Sequence, residues 1–247
     1  MIPSSNQGLT PEQEFERTIN NLTKQLKKRG SNTDSIKQVY DAYLIEQSQK
    51  YLGTPLGLSI TRSMAEDFTR QQMDSVMSLC DLYANDDRLR RLWKAAIAAD
   101  STSVGMKYVE IEGVDLNNTQ ERVSLSGIVA QGKPVVVNFW ASWSIPSCDI
   151  IRKQLVEYNL EYADKVNFVS VAVLEDSIKS IQRAASEMAI EWTSIYADNP
   201  QESPTKKYGT LGIPFVMIIG KNGIIKARDI KPEDILKAIE NELHEQY

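Results

Sequence analysis

The chain is short of the residues that carry most enzyme chemistry. Its 247 residues include two cysteines, Cys80 and Cys148, and one histidine, His244. Two cysteines in so long a chain make no disulfide framework and no metal-ligand spacing, so neither metal nor cofactor is expected. His244 sits in a polar tail, which leaves Ser-His-Asp and Cys-His catalysis without a base. Basic charge is scarce too: 28 Lys and Arg against 33 Asp and Glu give a net charge of -5. Nucleic-acid binding takes a local surplus of Lys and Arg to neutralise phosphates. The basic knots Lys27-Lys28-Arg29 and Arg88, Arg90, Arg91 read as solvated helix faces, so no nucleic-acid partner is expected. No run reaches the roughly 18 apolar residues of a membrane span. The opening residues 1–8 lack the apolar centre of a signal peptide, so no targeting signal is read here.

What remains is the composition of a soluble globular protein, 42% apolar and 25% charged, long enough for one large domain or two modest ones. The pattern changes near residue 104. This predicts a helical N-terminal region over residues 1–103 and a second domain over 104–247. Thr10, Pro11 and Gln13 form a capping box with Pro at the first helical position. Phe15, Ile19, Leu22 and Leu26 then follow on one helix face, and Gly30-Ser31-Asn32 breaks it. A second helix is expected over 35–51, a turn at Gly53–Gly57, and helices near 58–71, 73–83 and 86–98. Cys80, inside the 73–83 stretch, reads as a small core residue. Ser101-Thr102-Ser103 reads as a linker.

From residue 104 strands and helices alternate, which predicts an α/β sheet covered by helices. Short extended pieces are expected at 109–111 and 123–126. Residues 134–140, Pro-Val-Val-Val-Asn-Phe-Trp, form a near-continuous apolar run that reads as a strand buried on both faces. A helix is expected from Pro146 to about Ala163, a strand over 166–174, and a helix over 176–188. After a turn at 208–214 come a buried strand over 215–219, an Asn222-Gly223 hairpin turn, a strand over 224–227 and a helix over 232–244.

Phe139-Trp140-Ala141-Ser142-Trp143, then Ser144-Ile145-Pro146-Ser147 opening a helix, resembles the active-site segment of thioredoxins. That family reads Trp-Ala-x-Trp-Cys-x-Pro-Cys at this place. Gly212-Ile213-Pro214 resembles the family's cis-proline loop, and the Lys-Asn-Gly hairpin follows as it does there. The lead-in over 104–133 is similar to the periplasmic ResA/TlpA branch of thiol-disulfide oxidoreductases. Residues 1–103 resemble the helical region found before this domain in Bacteroidetes members, which begin with a leader and a small β domain. Neither is visible here, so the sequence is expected to be a truncated form. The resemblance implies a thioredoxin fold, a central mixed sheet flanked by helices, preceded by a helical N-terminal domain. It also implies a location in the cell envelope, facing the periplasm.

The resemblance puts Ser144 and Ser147 at the two redox cysteine positions. Disulfide exchange needs a thiolate that attacks and a second thiol that releases the mixed disulfide. A serine hydroxyl with no base beside it ionises too little to attack. Ser144 is therefore expected to cap the helix, accepting an N–H of its first turn. Either the lineage lost its thiols or both were replaced deliberately. Cys148, one position past the turn, shares a stripe with Ile151, Leu155, Tyr158 and Tyr162. That favours a structural thiol over a lone reactive thiol or a disulfide to Cys80. Where relatives often carry Pro, this chain has Arg152, so their helix kink is expected to be absent. Trp143, Ile145, Pro146, Ile213 and Pro214 are the expected substrate-binding residues. Trp143 is either a recognition surface, as in relatives, or a buried Trp at a strand end. In thioredoxins the backbone before the cis-proline pairs with an extended substrate segment, a form of strand addition that needs no cysteine. Three functions follow. The first is a redox-inactive module binding a peptide or protein. The second is an oxidoreductase acting on a disulfide-bearing envelope protein, seen with Ser for Cys. The third is a one-cysteine redox protein using Cys148.

Overall fold

A computed structural model describes residues 8–28, 33–175 and 177–244. The opening residues before Gly8, Arg29 of the first basic knot, the break at Gly30-Ser31-Asn32 and Asp176 lie outside the described residues. The chain divides into two compact units, Met1–Ala96 and Ile97–Tyr247.

The first unit is helical. Its elements are α1 (Pro11–Lys28), α2 (Thr33–Lys50), α3 (Pro55–Met64), α4 (Arg70–Ser78), α5 (Asp81–Ala84) and the start of α6 (Asp87–Ser101). The capping box at Thr10 is present: Gln13 N–H donates to Thr10 Oγ1 and Thr10 N–H to Gln13 Oε1. The expected helices at 58–71 and 73–83 are divided differently. Thr54 caps α3 through Gly57 N–H, so Pro55, Leu56 and Gly57 form a helical turn rather than a loop. Thr69 and Gln72 form a second capping box that starts α4. Cys80 is extended, at the N-cap of α5, and half-buried against the Leu58, Met73, Tyr83 and Leu89 core.

The second unit holds a seven-stranded mixed sheet. Its strands are β1 (Glu112–Asp115), β2 (Arg122–Ser124), β3 (Val135–Trp140), β4 (Asn167–Ala172), β5 (Thr193–Tyr196), β6 (Phe215–Ile219) and β7 (Ile225–Arg228). They are ordered β2-β1-β5-β4-β3-β6-β7, with β3, β4 and β5 parallel and the other pairings antiparallel. The helices are α7 (Leu125–Val129), α8 (Ile145–Ile150), α9 (Val156–Tyr162), α10 (Ile178–Glu187), α11 (Pro204–Tyr208) and α12 (Ile235–His244). Every residue of β3 is buried, as its apolar run predicts. Strand alternation sends Val135, Val137 and Phe139 into one core with Val169, Tyr208 and Met217. Val136 and Trp140 enter the other, with Cys148, Ile151, Leu155 and Ile235.

Five expectations are corrected. The strand β5 was not foreseen: Thr-Ser-Ile-Tyr is short and carries a buried serine, so it gives no apolar-run signal. The first extended piece lies at 112–115 rather than 109–111, and Leu125 to Val129 is helical. Ser101-Thr102-Ser103 is no free linker, because Thr102 is fully buried. The helix after the turn is not uniform. Between α8 and α9, Ile151–Leu155 is π-helical, with Val156 N–H reaching back to Ile151 C=O. The wider turn lets Ile151 and Leu155 both bury completely.

Candidate functional site

β3 delivers the chain to a tight turn. Ser144 N–H donates to Ala141 C=O at 3.0 Å and Cys148 N–H to Ser144 C=O at 3.0 Å, which closes the first turn of α8. Ser144 occupies the N-cap position, but its side chain does not cap. Its Oγ lies 2.8 Å from Ser147 Oγ instead, and both side chains are buried. Residues three apart at a helix start share a face, so the facing hydroxyl wins over the backbone N–H. Ile145 and Pro146 between them are exposed.

A strap from the end of β4 holds the preceding residues. Trp143 Nε1–H donates to Leu174 C=O at 3.0 Å. Ser142 donates both its N–H and its Oγ–H to the Glu175 carboxylate. Leu174 has a φ of 57°, a left-handed conformation uncommon for a non-glycine residue. Trp143 is 62% exposed, so the expectation of a buried Trp at a strand end is set aside.

Cys148 is buried under the turn, with Sγ 3.6 Å from Ala141 O and 3.8 Å from Ser142 O. Burial pushes its thiol pKa up; Arg152 opposes this, while Asp149 and Glu175 add to it. Reactive cysteines sit in the reverse setting, exposed and electropositive. Cys80 and Cys148 are both free thiols.

The second half of the site is the loop before β6. Gly209, with φ 61°, ends α11 in the left-handed region. The Ile213–Pro214 peptide bond is cis. Among the described residues, the N–H and C=O of Ile213 take no hydrogen bond. Phe139 pairs with Phe215 and Trp140 with Ala172. The turn after β3, the strap after β4 and the Pro214 loop therefore leave the same end of the sheet from adjacent strands. Trp143, Ile145, Leu174 and Leu211, all exposed, lie on these three segments. The sequence reading named the first two of these but missed Leu174, Glu175 and Leu211. They lie in strand-end loops, and only the pairing of β3 with β4 and β6 brings them to the turn.

Residues 103–243 match the family described as Redoxin. Among solved structures, the thioredoxin domain of a thiol-disulfide oxidoreductase from Bacteroides vulgatus is 21% identical, with a TM-score of 0.50. The match covers 56% of this chain and 96% of that one. The C-terminal domain of a proposed thiol-disulfide oxidoreductase from Bacteroides thetaiotaomicron is also 21% identical, with a TM-score of 0.52 over 59% of this chain and 99% of that one. At this identity the likeness concerns the thioredoxin-like fold alone. No curated protein matches the chain. No described helix is long and apolar enough to cross a membrane.

Proposed function

We propose, from the premise that this chain belongs to the Redoxin family, that its thioredoxin-like domain binds an extended peptide or protein segment without dithiol chemistry. In this reading residues 1–103 are a helical region and residues 104–247 the binding domain. Ser144 and Ser147 stand at the positions of the family's redox cysteines, and the partner lies in the cell envelope, where thiol-disulfide proteins of this kind act.

The observation that carries the reading is the unpaired peptide edge of Ile213 at the same sheet end as the two buried serines. Ile213 is half-buried, its backbone N–H and C=O without partners form an incomplete sheet position, and an extended segment supplies both partners by strand addition. Trp143, Ile145 and Pro146 offer exposed apolar surface on the turn at the same sheet end, which would give side-chain selectivity. None of this needs a thiol. Cys148, buried with a raised pKa, supports a structural role better than a redox one.

One observation favours a second reading, a thiol-disulfide oxidoreductase of the envelope with Ser in place of Cys. The 2.8 Å contact of the Ser144 and Ser147 hydroxyls brings positions 144 and 147 as close as a dithiol pair requires.

Two measurements separate them. Reduced, carboxymethylated lactalbumin is an unfolded chain that offers no thiol. Binding to it, with slowed hydrogen exchange at the Ile213 amide, is the expected result for the binding module. No binding and no protection overturn it. Insulin reduction by a Ser144→Cys/Ser147→Cys form, absent from the unsubstituted chain, moves the balance to the oxidoreductase.

A further inference from the structure

Arg228, at the end of β7, is half-buried and makes hydrogen bonds to two separate stretches of chain, the end of α6 and the end of α11. Nη1 donates to Ala99 C=O at 2.8 Å, to Thr102 C=O at 2.9 Å and to Thr102 Oγ1 at 2.7 Å. Nη2 donates to Tyr208 C=O at 2.9 Å. The guanidinium carbon also lies 5.2 Å from the centroid of the Phe215 ring. No described carboxylate hydrogen-bonds this guanidinium, so a charged group has been taken partly out of water onto neutral acceptors. That is a costly arrangement for holding one more strand end in place.

The two residues it grips on the loop side explain the arrangement. Tyr208 immediately precedes the loop 209–214, and Phe215 immediately follows it. Tyr208 is itself immobilised: its hydroxyl donates to Val109 C=O at 2.6 Å and accepts from Val109 N–H at 3.0 Å, and its ring packs edge-on against Phe139. Phe215 is the first residue of β6, paired with Phe139. The loop between has little support of its own. Thr210 N–H donates to Thr205 C=O and Thr210 Oγ1 to Gly212 C=O. Leu211 and Gly212 are exposed, and a cavity of about 550 Å³ opens beside the loop, with Arg228 in its wall.

We infer that Arg228 is a positioning residue for peptide capture, clamping both ends of the loop that carries Ile213 so that its free N–H and C=O are held in strand geometry. The inference rests on the binding function proposed above. A planar guanidinium reaches the Thr102 and Tyr208 acceptors with a fixed fork while lying on the Phe215 ring. An ammonium on a flexible stem offers a point charge and no flat face. Preorganising a binding edge lowers the ordering cost paid on association.

The test uses the full chain and two variants, Arg228→Lys and Thr102→Val, the second leaving the arginine but removing the hydroxyl that accepts from it and that also donates to Ala98 C=O at 2.7 Å and contacts Tyr208 C=O at 3.4 Å. Affinity for reduced, carboxymethylated lactalbumin is measured beside amide hydrogen exchange in the free protein. For Arg228→Lys the expected result is a loss of affinity of about tenfold, with faster exchange confined to the hydrogen-bonded loop amides of Gly209 and Thr210 and unchanged exchange at Met217 and Ile218. Thr102→Val is expected to show the same pattern, more weakly. Exchange that rises equally in the loop and in β6 means a general structural role, and overturns the inference. So does unchanged affinity in both variants while the unsubstituted chain binds. If the unsubstituted chain does not bind, the functional reading itself fails, and the clamp inference with it.

Discussion

Ser144 and Ser147 face each other, and a few ångströms away Cys148 faces the backbone. The one thiol near the turn is thus the group least suited to reaction. Its carbonyl neighbours accept a hydrogen bond from the S–H and so favour the thiol over the thiolate, and burial raises its pKa from the ordinary value of 9.0. Ellman's reagent at pH 8 is expected to modify Cys148 at least tenfold more slowly in the folded chain than in urea. The fold favours the neutral thiol, so this contribution is whole below the ordinary value and is lost as pH rises through the higher folded value. Urea midpoints measured from pH 8 upward are therefore expected to fall less steeply in Cys148→Ala. That substitution also empties a packed site and costs about 1–2 kcal/mol at neutral pH. In the helical unit the sign is opposite. Asp86, buried, pairs with Arg62 and accepts Leu89 N–H at 2.9 Å, and the Arg62 guanidinium holds its carboxyl below the usual range. Its stabilisation is present above the ordinary carboxylate value of 3.8 and is lost as pH falls through the lower folded one. Asp86→Asn is expected to cost about 2 kcal/mol in urea unfolding at pH 7, with the difference from the parent vanishing toward pH 2.

Among the elements, two were legible and one was hidden. The β3 run needs only its neighbours to be recognised, since six successive buried positions leave no solvated face. The capping boxes at Thr10 and Thr69 are equally local. Thr69-x-x-Gln72 is a local signal that divides α3 from α4. Thr69→Ala is expected to cost about 1 kcal/mol, read from the urea midpoint. β5 could not be seen in the same way. It is a strand because β1 and β4 flank it, and its polar Ser194 is buried by that placement. Close pairing is enforced there by Gly113 of β1. A Cβ at that position would lie 2.1 Å from Tyr196 C=O of β5, so Gly113→Ala must push the strands apart. A loss of about 2–4 kcal/mol is expected, with faster exchange at the Val114 and Leu116 amides.

For the whole molecule, the two units have separate cores, Leu58, Met73, Tyr83 and Leu89 in one, and the two faces of the sheet in the other. A fragment of residues 87–247 keeps α6 whole and all seven strands. It is expected to unfold in a single cooperative transition by circular dichroism; a broad, non-cooperative melt would show that the helical unit is needed for the sheet to form.

What the sequence alone determined is what near neighbours determine: the alternation of strands and helices after residue 104, the capped helices before it, the Gly212-Ile213-Pro214 segment ahead of a buried strand, and the Ser144-Ile145-Pro146-Ser147 turn that opens a helix after β3. Each rests on propensities and periodicities acting over a few residues. The tertiary structure decided the rest, because it depends on groups far apart in the chain. The register of β3 against β4 and β6 set Leu174 and Glu175 against Ser142 and Trp143, and brought the Ile213 edge to the same sheet end. Packing beneath the turn buried Cys148 and left Ile145 in solvent. Residues more than a hundred positions apart, Thr102 and Arg228, meet only once the sheet has formed, and no local pattern in a charged side chain tells which carbonyls will surround it.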